Sequence, residues 1–153
     1  MSESWPTADV DTVRRLRVMA AAVSAPLFAE AVLDAPWARA WSVASDLETS
    51  LPLLVRPMRS FTVLDRREET LRAEAVSAAG TRAEFAVVLR PGWCLMQSRF
   101  VIGGMAAVAD GDRTRFAVLG ASRVVRGPAA RRLLGPLGRR LGLGMLDRLR
   151  DRL

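Results

Sequence analysis

The chain has 153 residues, half of them apolar, and a net charge of +7 from 23 basic residues against 16 acids. That length suits one domain with a real core, and no apolar run reaches the ~18 residues of a membrane span. Every basic residue is arginine, and there is no His, Tyr or Lys, which excludes Ser-His and Cys-His nucleophile systems and Schiff-base chemistry.

Cys94 is the single cysteine, so no intrachain disulfide can form, and a reducing cytoplasm is the expected compartment. One thiolate with carboxylates makes a poor zinc set. No metal or cofactor is expected. Any acid–base chemistry would fall to Asp, Glu or a bound water.

The first residues, 1–6, are polar. Thr7 is the expected N-cap of a helix over 8–23, with Asp9 and Asp11 in its first turn and Val10, Val13, Leu16 and Ala20 at helical spacing. Arg14, Arg15 and Arg17 before the apolar stretch 18–29 have the outline of a secretory leader, but acids precede them and Pro26 interrupts the stretch, which argues against it. Residues 27–33 alternate as a first strand. Pro36 fits a first helical position, and Trp37, Ala40, Trp41 and Ala44 share one helical face. A second short helix opens at Asp46 and Glu48, buries Leu51, Leu53 and Leu54, and stops near Pro52. Asp46 and Glu48 could form an acid–base pair, although helix capping explains them more simply. Glu30 and Asp34 read as a solvent-facing pair.

After Pro57 the period changes to two. Strands are expected at 59–65, 69–77, 81–90, 93–102, 105–110 and 113–121, with turns at Ala79-Gly80, Pro91-Gly92, Gly103-Gly104 and Asp110-Gly111-Asp112. Connections this short make antiparallel neighbours. Ala83, Phe85, Val87 and Leu89 alternate with Arg82, Glu84 and Arg90, as in a sheet wet on one face and covered on the other. The cover is a last helix opened by Gly127-Pro128. Leu133, Leu134, Leu137, Leu141, Met145, Leu149 and Leu153 form its apolar stripe, and Pro136 should kink or split it. Nine Arg and two Asp lie between Arg123 and Leu153, and the preceding part balances fourteen Arg with fourteen acids. The excess charge therefore belongs to this segment. It either solvates an amphipathic helix or faces an acidic partner or anionic surface. No aromatic residues interleave it, which argues against sequence-specific nucleic-acid reading.

Taken together, the strand, Ala35-Pro36, Trp41, Asp46-Leu47-Glu48, Pro52, the strand meander and the long last helix resemble the START-like superfamily, also called SRPBCC. The opening is most similar to bacterial polyketide cyclase/dehydrase and aromatase/cyclase proteins, which carry an Ala-Pro-x-x-x-x-Trp-x-x-x-x-Asp-x-Glu-like start. The resemblance spans residues 27–153. It implies an α+β helix-grip fold: a curved antiparallel sheet of about seven strands wrapped around a long C-terminal helix, with two short helices after strand one. An added N-terminal helix would occupy 1–24 and the ligand-binding domain 25–153. Leu51 stands before Pro52 where many such cyclases have Trp. Tyr is absent and Arg90 alternates outward, so no catalytic residue is assigned.

The resemblance implies an internal cavity, expected at ~300–1,000 Å³. Its candidate lining is Phe61, Val63, Leu71, Ala73, Phe85, Val87, Met96, Ser98, Phe100, Thr114, Phe116 and Val118, with Leu137 and Leu141 from the helix. Ser98 and Thr114 would be polar guides. The alternative is that these side chains pack a solid core. Three functions stay open. The first is a polyketide cyclase-like protein of bacterial secondary metabolism, of cyclase or lyase type, that acts by shaping a hydrophobic substrate. The second is a non-catalytic carrier or sensor of a lipid or other apolar molecule. The third is an interaction module acting through the Arg-rich helix. Under any of them a monomer or homodimer is expected.

Overall fold

A computed structural model describes residues 10–124 and 128–153. The expected Thr7 cap and the Gly127 helix opening lie outside these residues. The elements run α1 (Thr12–Ala22), β1 (Leu27–Leu33), α2 (Trp37–Ser45), α3 (Leu47–Leu54), β2 (Met58–Arg67), β3 (Thr70–Ser77), β4 (Arg82–Arg90), β5 (Trp93–Gln97), β6 (Val101–Asp110), β7 (Arg113–Ser122) and α4 (Pro128–Arg150).

The strands form one antiparallel sheet in the order β1-β7-β6-β5-β4-β3-β2. From β2 to β7 the chain is a meander, because every connection is a tight turn. Gly111 adopts φ +63 in the β6–β7 turn, a backbone region that costs glycine little. β1 closes the order by pairing with β7, Leu27 opposite Gly120 and Leu33 opposite Thr114. α3 and α4 lie on the inner face of the sheet. The main core there joins Leu33, Trp41, Leu51, Phe61, Phe85, Val87, Phe116, Leu146 and Leu149. This is the expected α+β helix-grip arrangement.

α1 changes the expectation of a one-sided sheet. Its Val13, Leu16 and Ala20 pack on Trp93, Ala106, Ala117, Leu119 and Ala121 on the outer face. The outer face of β5 to β7 is therefore dry, while that of β2 to β4 carries the ion pairs Arg72–Glu84 and Arg82–Glu74. Gly104 makes the close fit of α1: a Cβ there would lie 3.0 Å from Leu16 Cδ1. Within the described residues α1 begins at Thr12, after the non-helical residues 10 and 11. Asp11 caps it by accepting the Arg14 backbone N–H at 2.8 Å, and Arg17 pairs with Glu30 at 2.7 Å, which keeps that acid on the outer side.

Three boundaries differ from expectation. The turn between β5 and β6 falls at Ser98-Arg99-Phe100, and Gly103 and Gly104 lie inside β6. Ser98 Oγ accepts the N–H groups of Phe100 and Val101 at 3.1 and 3.0 Å, and a capped serine turn outcompetes a glycine pair that β7 holds extended. α3 continues past Pro52 to Leu54. α4 runs unbroken through Pro136. The carbonyl that loses its donor there belongs to Arg132, an exposed residue, where solvent access lowers the cost of the missing bond.

α4 is also rotated relative to the expected stripe. Leu137 and Leu141 face outward, 55% and 52% exposed. The face that meets the sheet is Gly138, Gly142, Met145 and Leu149, spaced four, three and four residues apart. A Cβ on Gly138 would overlap the Pro26 carbonyl, and one on Gly142 would lie 2.9 Å from Ala29 Cβ. Two bare positions let the helix backbone lie against the start of β1, closer than a leucine face would allow.

Candidate functional site

Below the glycine contact α4 stands away from the sheet, and a cavity of about 200 Å³ remains. Met145, Leu146 and Leu149 roof it from α4. Leu51, Leu54 and Val55 close it at the end of α3. Met58, Phe61, Phe85, Met96, Gly103, Met105, Phe116 and Val118 line it from the sheet. The strand pleat delivers these side chains, since alternate residues of β2, β4, β5, β6 and β7 point inward. Gly103 pairs with Met96 across the β5–β6 ladder, and its missing side chain leaves part of the space. A Cβ there would sit 3.4 Å from Met96 Cε.

The lining has a distinct chemistry. Among the described residues, every lining side chain is apolar or absent. Four of the chain's six methionines face the space: Met58, Met96, Met105 and Met145. Methionine is unbranched, flexible and polarisable, so such a wall reshapes around an occupant at little cost. Phe61 and Phe85 meet at 6.1 Å between ring centroids, and Phe116 packs on Trp41 at 6.4 Å.

Of the residues expected to line a cavity, Phe61, Phe85, Met96, Phe116 and Val118 do so. Ala73 and Val87 are buried in the core beside it. Val63 and Leu71 line a separate cleft with Asp46, Glu48 and Arg66. Ser98 and Thr114 do not act as polar guides. Ser98 is engaged in its turn, and Thr114 Oγ1 donates to the Ala35 carbonyl at 2.8 Å, tying β7 to the entry of α2. Phe100 sits on the β5–β6 turn, 48% exposed, because the strand expected to carry it inward ends at Gln97. Leu137 and Leu141 are excluded by the rotation of α4. Met105 and Gly103 are hidden from a sequence reading because Gly103-Gly104 has the composition of a turn. Leu51, Leu54, Met145 and Leu149 are visible in it as apolar helix positions, though not as cavity walls.

Nucleophiles and acids lie elsewhere. Cys94 is fully buried, and desolvation pushes its thiol up to about 12, so no thiolate forms near neutral pH. Glu48 accepts the Val63 backbone N–H at 2.7 Å and so holds α3 to β2. Asp46 makes no capping hydrogen bond. Among the described residues no cluster of His, Cys, Asp and Glu could hold a metal ion, and no helix is long and apolar enough to cross a membrane.

No family model matches the chain, and no curated protein does. Solved structures do. A Thermus thermophilus protein is similar over 82% of this chain and 94% of its own, at 21% identity and a TM-score of 0.61. The Zhui aromatase/cyclase of Streptomyces sp. R1128 is similar over 82% and 91%, at 15% identity and a TM-score of 0.58. A START superfamily protein of Mycobacterium smegmatis is similar over 82% and 94%, at 18% identity and a TM-score of 0.56. At such identities the likeness speaks for the fold. A sheet closed around a C-terminal helix, with two short helices after its first strand and a cavity beneath the helix, is the START-like helix-grip fold, and this chain has it.

Proposed function

We propose that the chain binds a small apolar molecule in the cavity under α4 and does so without chemistry, as a carrier or sensor. One observation carries this reading: the wall offers four methionines and three phenylalanines, and no hydrogen-bonding side chain among the described residues. Acid–base catalysis of cyclisation or dehydration uses a group that moves a proton or holds a developing oxyanion, and this wall has none among the described residues. A buried polar substrate group would also lose its water with nothing to replace it. The occupant is therefore a hydrocarbon-like or aromatic molecule selected by shape.

Size narrows it further. A dry apolar cavity of about 150 Å³ takes up one benzene ring, and drug-sized ligands use about 300 Å³ or more. The cavity here, about 200 Å³, suits one or two fused rings or a short alkyl chain. Methionine rotamers give room for modest growth. The likeness to an aromatase/cyclase favours a substrate-shaping enzyme as the competing reading.

The experiment is calorimetric or ligand-detected NMR titration with benzene, indole and naphthalene, run on the wild type and on Gly103→Phe. The new ring enters the cavity from a position whose Cβ already fits. Expected are binding to the wild type and its loss in a variant of unchanged fold. Equal binding by both proteins would show that the ligand sits elsewhere. Turnover of a poly-β-keto substrate by the wild type would instead establish the enzymatic reading.

A further inference from the structure

One end of the sheet gathers the features of a lipid-facing surface. Antiparallel pairing places the starts of β1, β2, β4 and β6 together with the ends of β3, β5 and β7. The cavity reaches the surface at this end. Its most exposed wall residue is Val101, 41% exposed, which starts β6 at this end, and the half-buried Leu27, Val55 and Met58 start or precede β1 and β2 beside it.

α4 projects from the same end. Gly138 lies over Pro26 and Leu27, at the start of β1, and Leu146 and Leu149 lie deep in the core. The ten residues of α4 before Gly138 therefore run outward, about 15 Å at 1.5 Å per residue. A Cβ on Gly135 would meet nothing within 4 Å. This projecting half presents Leu133, 80% exposed, with Leu134 and Leu137. Phe100 and Val124 are exposed at the same end of the sheet, held near each other by the Arg123 N–H to Phe100 carbonyl bond of 2.7 Å.

The acids segregate along the same axis. The described stretches that build this end, 19–29, 49–64, 75–83, 96–109, 116–124 and 128–146, contain no Asp or Glu. They carry exposed arginines at 56, 59, 99, 132, 139 and 140. The acids Asp34, Asp65, Glu68, Glu69, Asp110 and Asp112 occupy the opposite end. Exposed leucines between arginines on a helix, at an acid-free end, complement an apolar layer beneath anionic headgroups. An acidic protein would satisfy the arginines and leave the leucines wet.

We propose that this end docks on an anionic lipid surface, with the first half of α4 lying in the interface and the cavity mouth facing the membrane. An apolar ligand then passes between bilayer and cavity without crossing water.

The test is flotation with phosphatidylcholine vesicles, with and without phosphatidylglycerol, at low and high salt. The proteins are the wild type, Leu133→Ser/Leu137→Ser, Arg139→Gln/Arg140→Gln, and Arg66→Gln/Arg67→Gln as a control from the opposite end. Binding is expected only to vesicles containing phosphatidylglycerol, weakening as salt rises. The leucine pair and the Arg139/Arg140 pair should each weaken it at least about tenfold, with the control unchanged. Naphthalene binding in solution, measured separately, should survive in all variants. Three results overturn the proposal: no flotation at low salt, flotation that the leucine substitutions leave unchanged, or capture by poly-glutamate without flotation.

Discussion

Gly138 and Pro26 share one space: the helix backbone at Gly138 occupies the position from which any Cβ would run into the Pro26 carbonyl. Gly138→Ala should therefore destabilise the protein by about 2 kcal/mol, the overpacking cost less the helix propensity gained. Gly135 has nothing near its Cβ position, and Gly135→Ala should stabilise by up to about 1 kcal/mol. Urea unfolding of the two variants checks the pair. Equal shifts would mean that α4 does not rest on β1 through its glycines.

Leu16 is fully buried against the outer face of the sheet, with Gly104 beneath it. Leu16→Ala should cost about 2–5 kcal/mol and leave naphthalene affinity unchanged, because the cavity is on the other face. Thermal unfolding and titration of the same sample separate the two effects.

Arg148 donates from Nε and Nη2 to the Leu54 carbonyl at 3.1 and 2.7 Å. The bond ties α4 to the end of α3, where Leu54 walls the cavity. Arg148→Met should cost about 1–3 kcal/mol and raise the dissociation rate of a bound aromatic, since the wall loosens. Stopped-flow displacement measures that rate.

Asp11 ties the start of α1 to Arg115 at 3.1 Å. Burial alone would raise its pKa. The Arg14 backbone N–H and the Arg115 guanidinium outweigh burial and leave it below 3.8. A carboxyl depressed in the folded state stabilises above its unfolded pKa and loses that contribution as pH falls through the folded value. Asp11→Asn should therefore be less stable than wild type at neutral pH, with the gap closing below about pH 4. Urea midpoints at pH 7 and pH 3 test the sign.

Cys94, with its thiol at about 12, should resist iodoacetamide at pH 8 in the folded protein and react fully in urea. Mass spectrometry of the two samples reads this directly; rapid native labelling would mean that β5 opens.

Element order and alternation were legible in the sequence because they are local. Pleat periodicity placed Phe85, Phe116 and Val118 inward, and the missing His and Lys removed whole classes of chemistry without any structure. The β5–β6 turn was not legible. Gly103-Gly104 has better turn composition than Ser98-Arg99-Phe100, and only the ladder with β7 and the Ser98 bonds reverse the preference. The rotation of α4 was not legible either. Its leucine stripe and its glycine stripe are adjacent, about 100° apart per residue step, and burial of leucine is the stronger local signal. The fold buries the glycine face because α4 can then lie against β1 and lower Met145, Leu146 and Leu149 into the core. The sequence by itself determined the order and type of the elements and a chain without His or Lys as a base. Tertiary structure decided which helix face meets the sheet, and so where the cavity lies and which leucines stay outside, because backbone proximity between distant segments is a property no local pattern encodes.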